Sequence, residues 1–120
     1  MENLDPVVWL QRAKYDLKAA EYNITGELFD HASFWCQQAT EKALKAVYIK
    51  KFGKLLKVHE LVHLGKKVGA PVEILELCEE LNPYYIQTRY PDYEEKLSQE
   101  EVERAMVVAS KVIQWAETKL

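Results

Sequence analysis

The feature that most constrains this chain is an uninterrupted stretch of 24 residues, 29–52, that contains no glycine and no proline. Its Ala, Leu, Lys, Gln and Glu residues all favour helices. Small or apolar residues recur in it at steps of three and four, at Phe29, Ala32, Cys36, Ala39, Ala43 and Val47. This spacing predicts one apolar stripe along a helix about 36 Å long. In a chain of 120 residues, such a helix has to contact most of the other elements.

The first and last segments have equally clear helical patterns. Asp5 and Pro6 suit the start of a first helix that stops near Gly26 and carries Leu10, Ala13, Leu17, Ala20 and Ile24. Ser98 and Glu101 have the spacing of a capping box. They open a last helix that carries Val102, Ala105, Met106, Ala109, Val112, Ile113 and Ala116.

Two shorter helices are predicted between these long ones. The central helix ends at Gly53, and a short helix follows His59 and fails by Gly69. A further helix runs from residues 70–71 to about Leu81, before the break at Asn82 and Pro83. No stretch alternates as a strand does. The sequence therefore predicts an all-α fold, an up-and-down four-helix bundle with one additional short helix, in a single domain over residues 1–120.

The same stripes predict a core and an interface. We expect the core to include Leu17, Ala39, Ala43, Ala109 and Ile113. Phe34, Trp35 and Tyr48 are left over once the main stripe of the central helix is buried. Because exposed aromatic side chains in this number are typical of protein interfaces, we expect a homodimer.

The composition of the chain bears on its cellular location and on the state of its cysteines. No apolar run approaches 18 residues, so we expect no membrane span. The N-terminal residues are acidic and lack the regions of a signal peptide, which favours the cytoplasm. Cys36 and Cys78 sit in apolar helical patterns, which predicts reduced, buried thiols, with a disulfide or a shared metal as the alternative.

Charge is unevenly distributed along the chain. The net charge is −3, yet residues 42–67 hold eight lysines against Glu60 alone, a local charge of +7. Residues 73–103 hold ten acids against Arg89 and Lys96, a local charge of −8. One interpretation is that the basic segment binds an anion and the acidic segment binds a basic partner. The other is that both are solvated helix faces.

One short metal motif occurs in the sequence. His59, Glu60 and His63 match H-E-x-x-H, which binds zinc when both histidines lie on a long helix. A third ligand is missing nearby, and the predicted helix is short. We therefore predict no metal site and no cofactor.

The stretch Tyr84–Tyr93 is the strongest functional candidate, because it holds four tyrosines and Arg89 within ten residues. Arginine binds phosphate bidentately, and tyrosine rings stack on bases. The predicted ligand site therefore consists of Arg89, Tyr85 and Tyr90, with Lys42 and Lys45 from the central helix. The alternative is that the tyrosines pack internally and Arg89 pairs with a carboxylate such as Asp92.

Several segments together resemble the HEPN domain family. Residues 32–46, read as ASFWCQQATEKALKA, resemble its signature helix, and residues 89–92, read as RYPD, resemble its arginine-containing turn. Residues 13–20 and 59–61 also fit its pattern, so the resemblance covers almost the whole chain. It implies an up-and-down helical bundle that dimerises and associates with RNA or nucleotides. It also implies a separately encoded minimal nucleotidyltransferase as partner, often in a toxin–antitoxin pair.

Many members of that family are metal-independent endoribonucleases with an R-x(4–6)-H motif, in which Arg holds phosphate and His transfers protons. Here the positions after Arg89 where that His would stand are Glu94, Glu95 and Lys96. The expectation is therefore binding of a nucleotide or RNA phosphate, or partnership with a nucleotidyltransferase, without ribonuclease activity. The alternatives are a weak ribonuclease that uses Arg89 with His59 or His63, and a helical interaction module without a ligand.

Overall fold

The structure is a computed structural model, and it describes residues 2–84 and 97–120. Within these ranges it contains five helices and no strand: α1 (Pro6–Thr25), α2 (Phe29–Phe52), α3 (Leu61–Lys67), α4 (Val72–Leu81) and α5 (Gln99–Glu117). The all-α prediction is confirmed, and each helix lies in the segment predicted for it. No helix of the described ranges is long and apolar enough to cross a membrane.

The ends of the helices have the local chemistry that the sequence predicts. Asp5 caps α1 by accepting a hydrogen bond from a backbone N–H of the first turn. Ser98 and Glu101 form the reciprocal capping box of α5. Gly53 ends α2 with a φ of 68°, a left-handed conformation that is least costly at glycine. These caps fix where α1 and α5 begin and where α2 ends.

Helix α2 is the centre of the bundle. It packs against each of the other four helices, while α5 also contacts α1 and α4. Four members of the predicted core are buried, namely Ala39, Ala43, Ala109 and Ile113. Leu17 is only partly buried and packs against the core from its edge.

Burial on α2 extends well beyond the predicted stripe. Tyr48, expected to remain outside, is only 8% exposed and lies against Phe52 with ring centroids 4.6 Å apart. Phe34 and Trp35 are half-buried and meet edge to face, with centroids 5.5 Å apart. The inference of an interface from Tyr48 is therefore wrong, because a central helix has neighbours on several sides and one stripe cannot mark all of its buried residues.

Both cysteines are free and buried, as predicted. Burial raises the pKa of Cys36 to about 12. It raises the pKa of Cys78 to about 12 as well, and the negative charge of Glu60 adds to this shift. Thiols with such pKa values are neutral at physiological pH, so neither is suited to nucleophilic or metal chemistry.

Candidate functional site

The five residues predicted for the ligand site fall into two groups. Arg89, Tyr85 and Tyr90 lie outside the described residues. Lys42 and Lys45 lie on α2, less than one turn apart, but their surroundings differ: the side chain of Lys42 is 23% exposed and that of Lys45 only 7%. The two lysines are each held by a different carboxylate.

Lys42 is held by Asp16 of α1. The Lys42 ammonium donates to the carboxylate of Asp16, whose side chain is only 6% exposed. The same ammonium lies 5.9 Å from the centre of the Trp35 ring. A nearly buried carboxylate with a lysine partner avoids the cost of an unpaired charge. The pair therefore fixes the Lys42 ammonium at the boundary between α1 and α2.

Lys45 belongs to a second polar cluster, formed with Glu41 and His59. Lys45 Nζ lies 3.0 Å from one carboxylate oxygen of Glu41, and His59 Nδ1 lies 3.1 Å from the same oxygen. Glu41 is nearly buried, whereas the His59 side chain is 59% exposed. An ionised carboxylate only accepts hydrogen bonds, so Glu41 holds the His59 ring with its hydrogen on Nδ1.

The alternative of a zinc site is not supported. His59 lies before the start of α3 and His63 lies within it, so the two imidazoles do not share one helical face as the motif requires. Glu60 is the N-cap of α3 and accepts a hydrogen bond from His63 N. In residues 2–84 and 97–120, no three His, Cys, Asp or Glu side chains form a group that could hold a metal.

A groove of about 530 Å³ lies along the N-terminal half of α1 and reaches Lys42. Tyr15 is 64% exposed, and the guanidinium carbon of Arg12 lies 5.7 Å from the centre of its ring. The described residues that line the groove include no acid: Asn3, Val8, Trp9, Gln11, Arg12, Tyr15 and Lys42. Of these, the sequence identified Lys42 alone. A signal was present, because Val8, Trp9 and Tyr15 are large apolar residues of α1 that lie off its predicted stripe.

Exposed lysines gather where α2 and α3 end, and we call this set the basic end: Lys50, Lys51, Lys54, Lys66 and Lys67. Lys51 joins the two helix ends, because its ammonium donates to the carbonyl oxygen of Val68 at 2.5 Å. In the described part of the chain, no carboxylate pairs with any lysine of this set. Five of the eight lysines of residues 42–67 thus lie at or near these two helix ends.

Comparison with known proteins decides the family. The model of the HEPN domain family matches residues 7–119. The chain belongs to the HEPN domain family. Its fold is similar to that of a solved structure from Thermus thermophilus, TT1696, with 30% sequence identity, a TM-score of 0.87, and coverage of 96% of this chain and 98% of the other.

Two further solved structures extend the comparison. An archaeal HEPN homologue, ST0689, is 25% identical with a TM-score of 0.80, and 98% of each chain is covered. A HEPN domain protein of Thermotoga maritima, TM0613, is 25% identical with a TM-score of 0.73, covering 92% of this chain and 94% of the other. No curated protein matches the sequence. The HEPN fold therefore accounts for nearly all of this chain.

Proposed function

We propose that this HEPN domain binds the phosphate groups of a nucleotide or RNA. The observation that carries the proposal is the basic end, where five exposed lysines have no carboxylate partner among the described residues. The C-terminal dipoles of α2 and α3 offset only part of this charge, about half a unit each. A surface of this kind attracts polyanions, although the chain as a whole is acidic.

Arg89, Tyr85 and Tyr90 supply the specific contacts in this proposal. Arg89 stands before Pro91 in a segment with the residues that bind and stack on nucleotides. Lys42 is the better placed of the two predicted lysines, because it reaches the groove. Lys45 would first have to exchange Glu41 for a ligand phosphate.

The salt dependence of binding tests this proposal. We expect a labelled single-stranded RNA of about ten nucleotides to bind the wild-type protein with an affinity that falls steeply as salt rises. Roughly four phosphate contacts give a slope near −2.8 in log K against log salt, and about a 50-fold loss between about 50 and 200 mM. Replacing Lys54 and Lys67 by Gln should weaken binding and flatten the slope, since each phosphate contact contributes about 0.7. Replacing Lys111 and Lys119 by Gln removes the same charge from exposed positions elsewhere. It should change neither the affinity nor the slope. RNA that binds both double variants equally would contradict a role for the basic end.

The ribonuclease alternative is favoured by one specific observation. Glu41 holds the His59 ring in one tautomer, which is the way many enzymes prepare a histidine for proton transfer. His59 stands outside the R-x(4–6)-H spacing, so it would act with Arg89 only if the fold brings them together.

A pair of measurements on the wild type and Arg89→Ala separates the two functions. We expect no appreciable RNA cleavage by either protein, and weaker nucleotide binding by Arg89→Ala. Strong wild-type cleavage that is lost in both Arg89→Ala and His59→Gln would establish the ribonuclease. Equal binding by the wild type and Arg89→Ala would leave Arg89 as a structural residue.

The partners in this proposal are a second copy of the chain and a minimal nucleotidyltransferase, in the cytoplasm. HEPN domains often dimerise, and the exposed apolar side chains outside the groove on α1 include Leu28, Phe52, Val72 and Val107. Sedimentation at micromolar concentration should show a dimer, and a monomer alone would contradict the homodimer. Co-purification followed by mass spectrometry should recover a nucleotidyltransferase encoded beside this chain, and its absence would contradict the toxin–antitoxin pairing.

A further inference from the structure

We propose that the groove on α1 is a binding site for a small planar aromatic anion, a ring that carries a phosphate or a carboxylate. The ring lies on Tyr15, and the anionic group lies between Arg12 and Lys42. The site is separate from the basic end and does not rest on the binding of RNA there, but it shares Lys42 with the ligand site predicted from the sequence.

The wall of the groove is built by the N-terminal segment. Terminal residues usually fray, but here two contacts join them to the rest of the fold and one more orders them locally. The indole nitrogen of Trp9 donates to the carbonyl oxygen of Asn3 at 2.7 Å, and the Asn3 side chain accepts from Asp5 N at 2.9 Å. Glu2 forms an ion pair with Lys57 at 3.2 Å. These contacts place the segment over the start of α1, where Asn3 lines the groove.

The groove offers an aromatic platform. Tyr15 is 64% exposed although its ring is large, and the Arg12 guanidinium lies 5.7 Å from the ring centre. This contact places the guanidinium over one face of the Tyr15 ring, where its own plane can stack on the ring of a ligand. Trp9 is half-buried and uses its indole N–H internally, so its ring serves as an apolar wall.

The charges in the groove select an anion. Arg12 has no carboxylate partner among the described residues. Lys42 is fixed by Asp16 but keeps further N–H donors, since an ammonium has three. No acid lines the groove within the described residues. A phosphate or carboxylate therefore meets the donors of Arg12 and Lys42 at the inner end of the groove, where Lys42 also pairs with Asp16.

The size of the groove limits the ligand to a small molecule. Its volume of about 530 Å³ lies within the range of about 300–1,000 Å³ that is common for small-molecule sites. The side-chain amides of Asn3 and Gln11 also line it. Amides provide both donors and acceptors, which suit the polar edge of a heteroaromatic ring.

Calorimetric titration of the whole chain tests the site with four compounds. Adenosine 5′-monophosphate and 1-naphthoate each carry a ring and an anion. Adenosine lacks the anion, and ribose 5-phosphate lacks the ring. We expect at least one of the ringed anions to bind ten times more tightly than adenosine or ribose 5-phosphate. Tighter binding of the monophosphate identifies a nucleotide, and tighter binding of naphthoate identifies an aromatic carboxylate.

Two variants and two matched controls locate the binding. Tyr15→Ala and Arg12→Gln should each lower the affinity for the more tightly bound of the two ringed anions at least tenfold. Tyr22→Ala removes an equally exposed tyrosine of the same helix, and Lys18→Gln removes an exposed charge of that helix outside the groove, so both should leave binding unchanged. All four positions are exposed, so we expect the variants to fold, which circular dichroism verifies.

Three results would overturn the proposal. The first is that neither ringed anion binds more tightly than the compounds that lack a ring or an anion. The second is that Tyr15→Ala and Arg12→Gln bind as well as the wild type. The third is that Tyr15→Ala dissociates a dimer in sedimentation without any effect on ligand binding, which would make a second copy of the chain the occupant of the groove.

Discussion

Helices α1 and α2 are neighbours of similar length, yet they are buried in different ways. On α1 the buried residues form one narrow row, Leu10, Ala13, Asp16 and Ala20, and the outer face keeps Tyr15 and Tyr22 in solvent. On α2 nearly every residue from Ala32 to Ile49 is buried or half-buried, including the charged Glu41 and Lys45. Position in the bundle therefore decides burial, and charges can be placed inside when they are paired.

The largest effect is expected where a paired charge on α2 loses its partner. Glu41→Leu leaves the Lys45 ammonium nearly buried without a carboxylate, which should lower the free energy of unfolding by about 3–5 kcal/mol. Denaturant titration measures this loss of unfolding free energy. Combining Glu41→Leu with Lys45→Met removes both charges and should restore most of the loss.

The matched control for this prediction is an exposed pair that involves α1. Lys14 and Glu117 lie 2.7 Å apart, with side chains 51% and 44% exposed. Glu117→Ala should cost no more than about 1 kcal/mol, because exposed pairs are screened by water. If Glu41→Leu were as mild as Glu117→Ala, the cluster of Glu41, Lys45 and His59 would be open to water.

A smaller effect is expected from added volume on α2. Ala43 is fully buried where neighbouring helices approach closely, so Ala43→Leu should overpack the contact and cost about 1–3 kcal/mol. Ala19 of α1 is only half-buried, and Ala19→Leu should change stability by less than about 0.5 kcal/mol. An unchanged melting temperature of Ala43→Leu would show that the core around α2 can accommodate the larger side chain without strain.

The burial of the thiols makes the stability of the protein depend on pH. The unfolded chain loses the Cys36 proton near pH 9, whereas the folded chain keeps it until the pKa of about 12. The contribution of the neutral Cys36 thiol to the free energy of unfolding is therefore fully present below pH 9 and is lost as pH rises towards 12. At about pH 10 the loss is about 1.4 kcal/mol for this thiol.

Denaturant titration at about pH 8 and pH 10 checks the titration of the thiol. Cys36→Ala should show a smaller fall in unfolding free energy between the two pH values than the wild type. All other titratable groups are common to both proteins, so the difference isolates Cys36. Identical falls would mean that the thiol is exposed to water in the folded protein.

Helix positions and burial differ in how far they can be predicted from the sequence. Helix positions follow from local signals, such as the Asp5 cap and the left-handed Gly53, which act within a few residues. The burial of Tyr48 and the pairing of Glu41 with His59 depend on segments that are distant in sequence, 18 residues apart for that pair. No periodicity of a single helix contains this information.

The candidate sites divide in the same way. The basic end was visible as a run of lysines, since charge sums over a segment without regard to detailed geometry. The groove was not, because it requires Asn3, Tyr15 and Lys42 to meet across two helices and a folded-back N-terminus. Arg89 remains a prediction from sequence, outside the described residues.

The smallest effect is expected on the outer face of α1. Tyr22 is 70% exposed, so Tyr22→Ala should change the free energy of unfolding by less than about 0.5 kcal/mol. The measurement is a denaturant titration at two protein concentrations. A larger loss would mean that this face is covered in solution, and if a second copy covers it, the loss would grow with protein concentration, since association stabilises the folded state by mass action. A loss independent of concentration would instead place the Tyr22 ring in contact with its own chain, and α1 would then be buried on two sides, as α2 is.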